Sequence, residues 1–209
     1  KQPIKAETLL ERALSVGEKA YGENHPQIGV TLNNLSQCYF ATNRPEKAEP
    51  MMERVVSIMK TSYGENHPRF ANALNNLAQL LQMTNRVPKA ESYFRQALEI
   101  DEANYGLDHS DVARDLNNLA RLLQATNRLT EAEPLMQRMV GIFLRFQAHN
   151  GHRHPHILAA VNNYLGLARQ MKIADPDSHV RLDKLRQKAG LEAAVFEAIW
   201  QDAQAANSR

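Results

Sequence analysis

The sequence predicts an all-α solenoid of stacked antiparallel helix pairs, and three observations predict it. His25-Pro26 recurs as His67-Pro68, His109-Ser110 and His154-Pro155, at spacings of 42, 42 and 45 residues. Asn33-Asn34 recurs with the same spacings as Asn75-Asn76, Asn117-Asn118 and Asn162-Asn163. Between the markers, apolar residues fall at helical intervals: Leu74, Leu77, Ala78 and Leu81 occupy i, i+3, i+4 and i+7. A fixed period of this length marks a repeat architecture, in which one helix pair cannot cover its own apolar face and must stack on the next.

Residues 1–22 read as the second helix of a truncated unit, because Ala6, Leu10, Ala13 and Leu14 match Ala90, Phe94, Ala97 and Leu98. Full units are expected at 23–64, 65–106 and 107–151. Pro26 and Pro68 suit the first turn of a helix, where a missing N–H does no harm. The first helices then bury Leu32, Leu35, Ser36 and Tyr39 in one unit and Leu116, Leu119, Ala120 and Leu123 in another. Thr42-Asn43-Arg44, Thr84-Asn85-Arg86 and Thr126-Asn127-Arg128 stop them, since asparagine tolerates the left-handed conformation. Second helices follow, with buried stripes Ala48, Met52, Val55, then Ala90, Phe94, Ala97, Leu98, then Ala132, Met136, Met139. Alternation of small and large residues lets neighbouring helices interdigitate.

Residues 152–190 form a degenerate unit that keeps Val161-Asn162-Asn163-Tyr164-Leu165, while Ile173-Ala174-Asp175-Pro176 replaces the usual turn. The three extra residues of the last interval fall between Gln147 and Arg153. Helices are expected near Ser178–Ala189 and Leu191–Ala206, the latter with Leu191, Val195, Ala198 and Ile199 on its apolar face, widened by Phe196 and Trp200. Residues 191–209 are read as a cap, because the last unit of a stack needs a distinct outer surface.

Composition narrows the function. Twenty-five basic and 23 acidic residues are interspersed, giving a net charge of +2 and no basic field for nucleic acid or an anionic membrane. Cys38 is the only cysteine, which forbids an intrachain disulfide and suits a reducing, cytoplasmic setting. No apolar run approaches the roughly 20 residues that span a bilayer. The first residue is Lys1, as expected of a piece of a longer protein. No phosphate-binding glycine loop, His-Glu-x-x-His or Gly-x-Ser-x-Gly element occurs, so no enzyme, catalytic residue or cofactor is expected. Cys38 reads as a packing residue. His25, His67, His109 and His154 belong to turn architecture, and the run His149, His152, His154, His156 fits no closed four-ligand site, so no metal is expected.

Leu74-Asn75-Asn76-Leu77-Ala78, Leu116-Asn117-Asn118-Leu119-Ala120, Ala48-Glu49-Pro50 and Ala132-Glu133-Pro134 carry a resemblance that covers roughly residues 1–172. The pattern resembles tetratricopeptide repeats of the 42-residue subtype found in kinesin light chains, although Leu32–Ser36 ends in serine and Ala90-Glu91-Ser92 lacks the proline. The resemblance implies a right-handed superhelix whose first helices line a concave surface. Asn33, Asn34 and Gln37, then Asn72, Asn75, Asn76 and Gln79, then Arg114, Asn117, Asn118 and Arg121 lie off the buried stripes at about 100° per residue. The resemblance turns them toward that groove.

Asparagine is a weak helix former, so its recurrence asks for a reason. An amide both donates and accepts, and a row of amides can bond an extended peptide whatever its side chains. Groove asparagines and basic residues of kinesin light chains hold cargo peptides with aromatic and acidic residues. That implies Asn75, Asn76, Asn117 and Asn118 as contacts, with Arg114 and Arg121 for an acidic side chain. Two structural alternatives stay open: one asparagine of each pair ties adjacent helices together, and the arginines pair with Asp111 and Asp115. A clamp for a terminal carboxylate is disfavoured, because the columns hold no lysine. The expected partner is a protein or peptide, with no nucleic acid or membrane, and the chain is expected to be monomeric. The competing function is an architectural or oligomerising arm without a peptide groove.

Overall fold

Helices start and stop by the same chemistry in each repeat. At three starts a histidine Nδ1 accepts the backbone N–H two residues on: His25 from Gln27 (3.2 Å), His67 from Arg69 (3.1 Å) and His109 from Asp111 (3.2 Å); His154 accepts likewise from His156 (3.1 Å) in the turn that leads into a fourth. The ring supplies what a Ser or Asp N-cap otherwise supplies. Each imidazole also packs on an aromatic of the preceding helix, at 5.1 Å from Tyr21, 4.9 Å from Tyr63, 4.3 Å from Tyr105 and 4.4 Å from Phe143.

At the stops, Asn43, Asn85 and Asn127 take φ of 57°, 60° and 60°. The next residue's N–H then reaches back five residues, Arg44 to Tyr39, Arg86 to Leu81 and Arg128 to Leu123 (2.9, 2.8 and 2.8 Å). That 6→1 bond satisfies a carbonyl the helix end would leave open. The threonine before each asparagine folds its hydroxyl onto the last turn's carbonyls.

The computed structural model describes residues 2–207, with side chains from Ala6 to Ala206; Lys1, Ser208 and Arg209, at the outer ends of the first and last expected segments, lie outside the described residues. Among the described residues there are ten helices and no strand: α1 (Gln2–Tyr21), α2 (Pro26–Ala41), α3 (Pro45–Tyr63), α4 (Pro68–Met83), α5 (Val87–Tyr105), α6 (Ser110–Ala125), α7 (Leu129–Asn150), α8 (Ile157–Gln170), α9 (Asp175–Ala189) and α10 (Ala193–Asn207). They fall into two compact units, Lys1–Asn104 and Tyr105–Arg209.

In the first unit α3 lies between α2 and α4, and α1 packs on α2. Ile28, Leu32, Leu35, Ala48, Met52 and Ile58 are buried there, as are Phe70, Leu74, Leu77 and Leu81. Arg44 and Arg86 fork onto Glu7 and Glu49, each partner 37 residues earlier, so both turns of this unit are tied to the second helix before them. Glu49 is the glutamate of Ala48-Glu49-Pro50, and Glu7 occupies the same place in Ala6-Glu7-Thr8.

In the second unit α7 lies against α6, α8 and α9, and α10 covers α8 and α9. Val112, Leu116, Leu119, Met136, Val140, Leu144, Tyr164, Leu165, Leu182, Phe196 and Ile199 are buried. Glu133, one period on from Glu91, takes Arg181 and the Tyr164 hydroxyl instead of a turn arginine. The outward side of α10 carries alanines and polar residues, Ala194, Gln201, Asp202 and Ala205, together with Ala198, which was expected on the apolar face, and such a surface is what a cap requires. Among the described residues no helix is long and apolar enough to cross a membrane.

Candidate ligand-binding face

The first helices of each unit present their asparagines to one another. Asn76 Nδ2 on α4 donates to Asn33 Oδ1 on α2 at 2.8 Å, and Asn163 Nδ2 on α8 donates to Asn117 Oδ1 on α6 at 2.8 Å. In both, the second asparagine of a later helix meets the first asparagine of an earlier one. These amides therefore tie adjacent helices, the structural alternative left open above. One bond consumes one of two N–H groups and one of two lone pairs, so each pair keeps capacity for a ligand backbone.

Asn34, Gln37, Asn72, Gln79 and Arg121 are exposed; Asn33, Asn76, Arg114, Asn117 and Asn118 are half-buried. Asn75 differs from the groove expectation, being 2 % exposed on the flank of the apolar stripe, and both it and Asn118 are engaged. Arg114 also departs from its expected role. Its guanidinium bonds Asp111 at 2.8 Å and the fully buried Asp115 at 3.1 Å, so its charge is spent within the helix.

Hollows flank the amide pairs. In the first unit a niche of about 350 Å³ between α2 and α4 is lined by Gly29, Val30, Asn33, Val55, Met59, Arg69, Asn72, Ala73 and Asn76. A smaller one of about 90 Å³ includes Asn33, Gln37, Phe40, Asn76, Gln79 and Met83. In the second unit a niche of about 460 Å³ between α6 and α8 is lined by Ala113, Arg114, Asn117, Met139, Phe143, His156, Ala159, Ala160 and Asn163, together with Ser110, Asp111, His154 and Pro155.

The larger two are the same place in the repeat. Gly29, Val30, Asn33, Val55 and Met59 become Ala113, Arg114, Asn117, Met139 and Phe143, each 84 residues on. Arg69, Asn72, Ala73 and Asn76 become His156, Ala159, Ala160 and Asn163, each 87 residues on. Gly29 shapes the first: a Cβ there would collide with the Met59 methyl, so its absence lets Met59 lie against α2.

The polar rims differ. Arg69 lies 4.8 Å over the Tyr63 ring and donates to its hydroxyl at 2.7 Å, and has no carboxylate partner among the described residues. His154 sits between Phe143 and Phe146, and burial, then the neighbouring His156 and His152, push its pKa below the ordinary histidine value. Arg69, Phe143, His154, His156 and Asn163 also line these hollows, beyond the residues expected from the sequence. Arg69, Asn72 and Asn76 fall at i, i+3 and i+7, which was the available signal.

A family model described as tetratricopeptide repeat matches residues 1–61, 50–103 and 69–145. No curated protein matches the sequence significantly. Two crystal structures of a kinesin-light-chain-type protein with nearly identical TPR-like repeats from Podosopora anserina are similar in fold. One, of a form carrying a single substitution, has a TM-score of 0.72 at 22% identity over 89% of this chain and 86% of that one. The other has a TM-score of 0.69 at 23% identity, over 100% and 90%. BtubC (BKLC) of P. vanneervenii is similar with a TM-score of 0.73 at 22% identity, over 90% of this chain and 73% of its own.

Proposed function

The chain belongs to the tetratricopeptide repeat family, whose members are non-catalytic protein–protein interaction modules, and from that premise we propose that it captures an extended segment of a partner protein along its first helices. The observation that carries this reading is the niche that recurs beside an amide pair in both units. The spare N–H and carbonyl of each pair serve the ligand backbone, and the apolar floors Val55–Met59 and Met139–Phe143 receive side chains. Arg69 suits an acidic residue and Phe143 an aromatic one. The module acts as a monomer in a reducing, cytoplasmic setting, where Cys38 stays a thiol.

Val30 and Ala159 are exposed at equivalent niches, so bulk there fills the hollow without touching the core. Val30→Trp and Ala159→Trp together are expected to weaken capture of display-selected peptides at least tenfold, about 1.4 kcal/mol, with an unchanged thermal midpoint. Undiminished capture by the folded double variant would refute the reading. The exposed Leu9 and Val16 of α1, 67 % and 61 % accessible, favour a second reading, an arm that associates through its first helix. A concentration-dependent dimer in sedimentation, lost in Leu9→Glu with Val16→Glu, would support that instead.

A further inference from the structure

Equivalent positions at the two niche rims carry a permanent cation in one unit and an imidazole in the other: Arg69 and His156. Building on the peptide-capture reading, we propose that the second unit's niche is a subsite that takes an acidic side chain when His156 is protonated.

The charges that face His156 limit what else the niche offers. From α6 come Arg114, Asp111 and, behind them, buried Asp115; these three already pair with one another. From α7 come Phe143, with its ring 6.4 Å away, and Met139, both uncharged. On its own segment His154 lies 5.4 Å ring to ring, with His152 beyond it, and Arg153 is held by Asp202 of α10 at 2.6 Å. Ala159, Ala160 and Asn163 of α8 add no charge. With neutral imidazoles, therefore, no cation in this niche lacks a carboxylate.

His154 is a poor gate. Its Nδ1 accepts the His156 N–H in the turn that leads into α8, and burial disfavours its charged form. His156 has an exposed side chain and makes no capping bond with it. An imidazole changes charge within the physiological range, and an imidazolium presents two N–H donors to a carboxylate. Arg69 gives the first unit the same capability at every pH.

The experiment pans a display library of random peptides against the intact chain at about pH 7.5 and at about pH 5.5. Wild type is expected to enrich aspartate and glutamate at the lower pH. A recovered acidic peptide should bind roughly tenfold tighter there, the size of one charge-assisted hydrogen bond. His156→Ala should abolish the shift, and His156→Arg should give the acid-rich set at both pH values. Arg69→Ala should lower acidic recovery at both without removing the pH shift. Equal acid content at both pH values, or a shift that survives in His156→Ala, overturns the gate alone. Recovery of no peptide under any condition overturns the groove reading and the gate with it.

Discussion

At the scale of single residues, the asparagine pairs show why a poor helix former recurs inside helices. Asn76→Ala leaves Asn33 Oδ1 half-buried without its donor and is expected to cost about 1–2 kcal/mol in urea unfolding. A cycle with Asn33→Ala should return a coupling of about 1 kcal/mol, and a coupling near zero would mean the bond contributes nothing. His154 gives a pH prediction with a definite sign. Its lowered folded pKa means the folded chain binds fewer protons there than the unfolded chain, so the neutral ring adds stability above the ordinary histidine value. That contribution is lost as pH falls through the lowered folded value. The urea midpoint should therefore drop between about pH 7 and pH 5, and His154→Asn, which keeps a capping side chain, should flatten the drop. The sequence showed the Asn-Asn markers plainly but not their partners, because helical angles place a residue on a face without saying what approaches it. The bonded pairs are 43 and 46 residues apart, one more than each repeat spacing, so aligning the units in register conceals them.

Elements were legible where local chemistry repeats. Helix α4 begins at Pro68, and Thr84 and Asn85 end it as their types predict. Asn85→Gly should be nearly neutral, while Asn85→Val should cost about 1–2 kcal/mol, because a branched side chain resists φ of 60°. Beside it, the Arg86 guanidinium holds the Glu49 carboxyl below its ordinary range. The contribution is present above the unfolded carboxylate value and fades as pH falls through the lowered one. Both groups are partly exposed, so Glu49→Gln should cost no more than about 1 kcal/mol at neutral pH and nothing once the carboxylate is protonated. The joint before α8 was less legible. Tyr21, Tyr63 and Tyr105 recur every 42 residues, but the next position is Gln147, which cannot stack on a capping imidazole. Helix α7 runs to 22 residues where α5 has 19, and His154 folds onto Phe143 and Phe146. The fourth turn, expected to be lost, survives: Lys172 takes φ of 59° and Ile173 N–H bonds Ala168 at 2.9 Å. A lysine in that conformation is uncommon, which hid the turn from the sequence pattern.

At the scale of the whole molecule, the two ends differ. Val16 of α1 is 61 % exposed, whereas its counterparts Ile58, Ile100 and Ile142 are 1 %, 7 % and 2 % exposed. Helix α10 instead buries Phe196, Ile199 and Trp200 and shows solvent mostly alanine and polar side chains. Local opening follows buried contact, so hydrogen exchange should be fastest along α1 and markedly slower along α10. Protection of α1 equal to that of α10 would contradict this ranking. The histidine caps have a consequence that reaches across four joints. A ring nitrogen that accepts a backbone proton must carry its own proton on the other nitrogen, so His25, His67, His109 and His154 are fixed in one tautomer with no lone pair to spare. The His152 Nδ1 instead donates, to the Asn150 carbonyl at 3.0 Å. A transition metal drawn to this histidine-rich stretch could recruit His154 only by breaking the turn that leads into α8, so ligation and that turn are mutually exclusive uses of one electron pair.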